Sequence, residues 1–214
     1  MHIMEGFLPP FWAAFWYLLS LPFIFLGIKK LENIIKQDQS KKLLLAMSGA
    51  FILVLSSLKL PSVTGSSSHP TGTGISAILF GFNVSSVLCT IVLIFQALLL
   101  AHGGITTLGA DIFSMGIIGP AVATFSFNLL KKFKVNFLIN VFIASFLADI
   151  FTYITTSLQL ALAYPGSKLL DSFVLFFSIF ALTQIPLAIA ESLLVYVFFD
   201  FILKSKPTIL KGLI

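Results

Sequence analysis

Apolar residues fall in long blocks along this chain, separated by short stretches where lysine, glycine, proline, serine or asparagine collect. Inside the blocks the apolar residues do not keep to one face. A helix that is hydrophobic all round belongs in a protein core or in lipid. Seven segments are legible: about Pro10 to Ile28, Leu43 to Leu58, a short piece after Thr71, Val84 to Ala101, Leu108 to Leu130, Val135 to Ala163 and Leu170 to Leu203. A full crossing takes roughly 20 helical residues. The piece after Thr71 is too short for that, and Gly81-Phe82-Asn83 interrupts the run, so one short or broken segment is expected near 72–83. Pro120 is expected to bend the fifth segment, and Pro186 lies inside the last. The last two segments exceed the hydrocarbon thickness and should tilt or reach the interface. The prediction is an all-α integral membrane protein with about seven transmembrane helices.

Composition supports that solvent. Hydrophobic residues make up 58% of the chain and charged residues 10%, where a soluble domain carries about 25% charge. The mean hydropathy is +1.06. The net charge of +5 comes from lysines, and it reflects topology rather than affinity for nucleic acid. With the amino terminus outside, Lys29, Lys30, Lys36, Lys41 and Lys42 fall on the inner side. So do Lys131, Lys132, Lys134, Lys204, Lys206 and Lys211, leaving Lys59 and Lys168 outside. Cytoplasmic loops carry the excess of basic residues, so the amino terminus is expected outside and the carboxyl terminus in the cytoplasm of a multi-pass cell-membrane protein. The first residues have no basic region of the kind that opens a cleavable signal. Cys89 stands alone in an apolar run, which excludes a disulfide framework and a thiolate cluster.

Several enzyme readings fail on motif grounds, and no enzyme is expected. No two histidines stand four apart, as a helical zinc-protease motif requires, and Gly65-Ser66-Ser67-Ser68 lacks the closing glycine of a nucleophile elbow. No phosphate-binding loop motif occurs, so the chain cannot hydrolyse ATP itself. No organic cofactor is expected.

Metal chemistry is what remains. The chain opens Met1-His2-Ile3-Met4-Glu5-Gly6 and has only two other histidines, His69 and His102. The α-amine of a free terminus, the His2 amide nitrogen and the His2 imidazole can close a five-membered and a six-membered ring on one ion. A bulky second residue should leave Met1 in place. Three such nitrogens lie near a plane, and a fourth completes a square suited to Ni(II), Cu(II) and some Co(II). The topology puts all three histidines on one face. His69 lies in Thr64-Gly65-Ser66-Ser67-Ser68-His69-Pro70-Thr71-Gly72-Thr73-Gly74, an irregular stretch rich in hydroxyls, and is the candidate fourth nitrogen. Thr71 or Thr73 is placed to cap the following helix. His102, in Ala101-His102-Gly103-Gly104, is read as a helix-end histidine that supports the ligands or lines the access path. Ser68, Glu5 and Asp111 are further candidates around the site, the two acids to attract a cation or orient an imidazole. Asp149 and Glu191, deep in the last two segments, are read first as structural polar contacts. The planar donor set tilts the choice of cargo towards nickel.

Met1-His2-Ile3-Met4-Glu5-Gly6-Phe7-Leu8-Pro9 resembles the amino terminus of the CbiM/NikM family, the substrate-capture subunits of energy-coupling-factor transporters for cobalt and nickel. The similarity continues through 61–74, through Gln96 to Ala110, and through Phe113-Ser114-Met115 to Gly119-Pro120. Relatives often carry cysteine among the serines before His69 and asparagine where Asp111 stands. The resemblance implies one transmembrane metal-capture domain over 1–214. Residues 1–28 would form an extra metal-ligating segment and helix, and 29–214 the bundle. It implies Met1, His2 and His69 as ligands, and Ni(II) or Co(II) as the bound cargo. It also implies a cytoplasmic ATPase pair, a transmembrane coupling protein and small accessory membrane subunits as partners, with no nucleic acid. The rivals are a self-contained proton-coupled carrier, using Asp149 or Glu191, and a membrane metal sensor.

Overall fold

A computed structural model describes residues 2–61, 66–210 and 213. Met1 lies outside the described residues. Helix α1 (Pro10–Gln37) begins with proline at its first position, where no N–H is needed. It runs beyond the apolar block at Ile28 because Ile34 and Ile35 keep packing on the core while Glu32 and Lys36 pair on the wet face at 3.7 Å. Then come α2 (Lys41–Ser56), the short α3 (Thr73–Phe80) and α4 (Phe82–Leu99). The break is where the sequence places it: Gly81, at φ +81°, ends α3 and opens α4. Eight residues rise about 12 Å, less than half the hydrocarbon core.

The fifth segment contains α5 (Leu108–Asp111), a π-helical stretch (Ile112–Ile118) and α6 (Gly119–Lys132). Its irregularity lies mostly before Pro120. The wide π turn comes first, and the proline falls in the first turn of α6, where its missing N–H costs least. Helices α7 (Phe137–Ala163) and α8 (Leu169–Ser205) complete the bundle and pack along each other, while α1 lies against α4. Five of these segments are long and apolar enough to span a membrane. Their outward residues are large and apolar, such as Phe11, Phe25, Leu182 and Phe201, as lipid requires.

The polar stretch before α3 is more ordered than the sequence suggests. Strands β1 (His2–Ile3), β2 (Leu60–Pro61) and β3 (Ser66–Ser68) form an antiparallel sheet in the order β1-β3-β2, with His2 opposite Ser67 and Ile3 opposite Ser66. Backbone buried among apolar helices must satisfy its own N–H and C=O groups. The small serines of β3 fit into the bundle, and all three are buried. The expectation of a threonine cap on α3 is not met. Gly72 holds the cap position at φ +70°, because a Cβ there would lie 2.8 Å from Ile52 Cα.

Candidate metal centre

The sheet brings the amino-terminal segment beside the loop that carries His69. Main-chain anchors fix the depth of that segment. Asp111 Oδ1 accepts from Ile3 N at 2.8 Å, and Thr107 Oγ1 donates to Ile3 O at 2.8 Å. Gly6 N donates to Thr106 Oγ1 at 2.9 Å, and Thr106 N donates to both Glu5 oxygens at 3.2 Å. The Tyr164 hydroxyl donates to Phe7 O. Ile3 and Leu8 bury themselves with Trp16, Tyr153 and Phe180. An amino terminus tied at residues 3, 5, 6 and 7 presents residue 2 in one place.

His2, His69 and His102 meet there, with one ring nitrogen from each within 4.8 Å of the others. Their exposures are 1%, 0% and 2%. The His2 ring centroid is 4.4 Å from that of His69 and 4.3 Å from that of His102. His2 Nδ1 faces His69 Nε2 directly. This is the His2 nitrogen that an amino-terminal chelate uses, since Nδ1 closes the six-membered ring. His69 Nδ1 lies 2.8 Å from Pro70 O. A carbonyl only accepts, so Nδ1 carries the proton and Nε2 keeps its lone pair, the tautomer a metal ligand needs.

Burial sets the charge state of the cluster. It holds the His2 and His69 imidazoles well below the usual histidine range, helped at His2 by the neighbouring imidazoles His69 and His102. Burial also pushes His102 down to about 3. All three rings are therefore neutral near pH 7, as ligation demands. Hydrogen bonding from Thr106 holds Glu5 below the usual carboxylate range, so Glu5 adds a negative charge at the exposed rim.

The remaining candidates divide by what they touch. Asp111 is buried and holds Ile3, while its Oδ2 has no partner among the described residues. Ser68 Oγ bonds Thr183 Oγ1 on α8 at 2.8 Å and so fixes the loop. His102 Nε2 bonds Ser67 Oγ at 2.8 Å, and its Nδ1 has no partner among the described residues. His102 thus joins the cluster itself, more intimately than a helix-end histidine bonded to nearby backbone. Sequence reasoning passed over Gly103, at φ +73°. A Cβ there would lie 2.9 Å from His2 Cδ2 and 3.1 Å from Asp111 Oδ2, so the bare glycine is the floor under the His2 ring. The Gly103-Gly104 pair was the available signal. Asp149 and Glu191 do make structural polar contacts. Asp149 Oδ1 accepts from Gln184 Nε2 at 2.6 Å, and Glu191 accepts from Thr71 and Gly72.

Comparison with known proteins gives the family. The family described as "cobalt uptake substrate-specific transmembrane region", CbiM, matches residues 2–209. The cobalt transport protein CbiM of Anoxybacillus flavithermus is 57% identical over 204 residues, covering 94% of this chain and 82% of the relative. That of Nostoc sp. is 55% identical over 209 residues, covering 97% and 80%. A crystal structure described as a transition metal transporter superposes with a TM-score of 0.81 at 25% identity, over 94% of this chain and 93% of the other. The chain belongs to the CbiM family of cobalt uptake substrate-specific transmembrane proteins, a membrane transport component and not an enzyme.

Proposed function

We propose that the histidine cluster is the cargo site, and that the chain captures Co(II) or Ni(II) there for uptake by an energy-coupling-factor transporter. The observation that carries this reading is the convergence of His2 Nδ1 and His69 Nε2 in a buried cluster anchored to the amino-terminal strand. The inner sphere is the Met1 α-amine, the His2 amide and imidazole nitrogens, and His69. His102 lines the side of the cluster through which the ion arrives and takes it up transiently, with Ser68, Glu5 and Asp111 supporting the arrangement. Residues 1–214 act as one domain, with the histidine end outside and the lysine-rich end in the cytoplasm.

Nitrogen donors disfavour Mg(II) and Ca(II), which want oxygen. They do not disfavour Cu(II), so discrimination against copper rests on fit and availability. A planar donor set alone favours nickel. The family description and the names of the relatives weigh for cobalt as the principal cargo.

The partners are an ATPase pair, a coupling protein and small accessory subunits, because the chain has no nucleotide-binding motif of its own. The carrier reading would assign Asp149 or Glu191 to proton transfer. Glu191 is instead engaged by loop N–H groups, and Asp149 by Gln184, which favours the capture subunit. The test is radiolabelled cobalt and nickel uptake into sealed vesicles. The chain alone should bind metal without concentrating it, and adding the partner subunits should give ATP-dependent accumulation. Accumulation by the chain alone under a proton gradient, lost in Asp149→Asn or Glu191→Gln, would overturn the reading in favour of the carrier.

A further inference from the structure

Helix α8 contributes no histidine to the cluster, yet it grips the loop that carries His69 at several successive residues. Thr183 Oγ1 bonds Ser68 Oγ at 2.8 Å. Gln184 Nε2 donates to His69 O at 3.0 Å, and the same nitrogen is aimed by Asp149 Oδ1 on α7 at 2.6 Å. Seven residues further on, and so on the same face of the helix, the Glu191 carboxylate accepts Thr71 N at 2.5 Å, Gly72 N at 2.8 Å and Thr71 Oγ1 at 3.0 Å. The ligand loop is thus held through a side chain at Ser68 and through the main chain at His69, Thr71 and Gly72. Gln184, Glu191, His69, Thr71 and Asp149 are all fully buried.

A fully buried carboxylate is costly in a membrane protein unless donors surround it. Here the donors belong to the ligand loop. Loop and carboxylate therefore fix each other: the N–H groups need an acceptor, and the charge needs donors. Pro186 lies between the two anchors and removes one main-chain hydrogen bond from α8. The stretch of α8 that bends at least cost is the one that holds His69.

We infer that Gln184 and Glu191 are positioning residues for the metal site, a two-point anchor on α8 that sets where His69 Nε2 stands relative to His2. The anchor acts through the main chain of residues 69–72 and not by touching the ion. It rests on the reading of His69 as a ligand.

Glu191→Gln is the sharpest probe. Thr71 N and Gly72 N donate to different carboxylate oxygens, and glutamine, the same size, puts an NH2 that cannot accept at one of those two positions. The measurement is Co(II) titration of the purified full chain with its native amino terminus, followed by the ligand-field absorption bands and by thermal melting. Changes to groups that orient a ligand usually cost about 10- to 100-fold in metal affinity. Glu191→Gln should lose that much and shift the bands, while Ser192→Ala, whose hydroxyl bonds only within its own helix, should match the wild type. The decisive step is a double-mutant cycle with His69→Ala. If the anchor acts through His69, adding Glu191→Gln to His69→Ala should change affinity by no more than about twofold, the scatter found between independent sites. Gln184→Ala should behave the same way, and it carries the test if Glu191→Gln does not fold. Wild-type affinity in either single anchor variant, or a full additional loss on top of His69→Ala, would overturn the inference alone. Wild-type affinity in His69→Ala itself would overturn the site reading, and the inference with it.

Discussion

Two loops bring a histidine to the same cluster, and they are built differently. The segment 68–72 is buried throughout, backed by the face of α8, with the His69 tautomer set by Pro70 O. The segment 100–106 is exposed at Leu100, Ala101, Ile105 and Thr106. Its main chain passes through Ala101 at φ +46°, a conformation that side chains rarely adopt, and its carbonyls are met by the exposed Lys59 amine at 3.3 and 3.4 Å. The first loop holds a nitrogen still. The second has fewer buried anchors and lies nearer solvent. On the proposed reading, identical side chains serve two roles, ligand and access, according to the backbone around each.

The comparison breaks most easily at the chelate. His2→Ala removes a ring closure as well as a donor, and should weaken Co(II) binding by roughly 1,000-fold, about 4 kcal/mol. His69→Ala removes one donor and should cost roughly 100-fold, about 2.7 kcal/mol. Both are read by metal titration and by metal content after purification. Equal occupancy in His69→Ala and wild type would remove His69 from the inner sphere. Gly103→Ala tests the floor of the site. A methyl group 2.9 Å from His2 Cδ2 must push the ring aside, and the positive φ adds about 1 kcal/mol of strain. A loss of roughly tenfold, about 1.4 kcal/mol, is expected, and unchanged affinity would mean the ring has room to move. The smallest equilibrium effect belongs to His102→Ala, a change within about threefold, or 0.7 kcal/mol. Its signature should be a slower association rate in stopped-flow mixing. A loss as large as that of His69→Ala would make the two loops equivalent and erase the distinction.

Much of this was legible in the residues. The apolar blocks locate the spans, because lipid leaves little choice for a run of 20 apolar residues. The glycine at 81 locates the break. His2 and His69 stand out because so few polar groups compete with them in this composition. What the sequence hid depends on contacts far apart in the chain. Pairing of residues 2–3 with 66–68 spans more than 60 positions, and no hydrophobic period marks strands two or three residues long. His102 and Ser67 meet only because that sheet forms. Glu191 reads as an isolated acid in an apolar helix until Thr71 and Gly72 are folded against it. The polar reach of α1 past Ile28 was missed because a search for apolar runs stops where the helix leaves the apolar phase, although its hydrogen bonds continue.

The central claim is that the chain's own amino terminus is a ligand. The most direct measurement compares Co(II) affinity and ligand-field spectrum of the purified protein, tagged only at the carboxyl end, before and after acetylation of the Met1 amine. Acetylation confined to the α-amine removes the basic nitrogen that closes the five-membered ring and leaves every side chain as it is. Affinity should fall roughly 1,000-fold, about 4 kcal/mol, with loss of the wild-type bands. An acetylated protein, shown to be fully modified, that binds Co(II) with the wild-type affinity and spectrum would contradict the account.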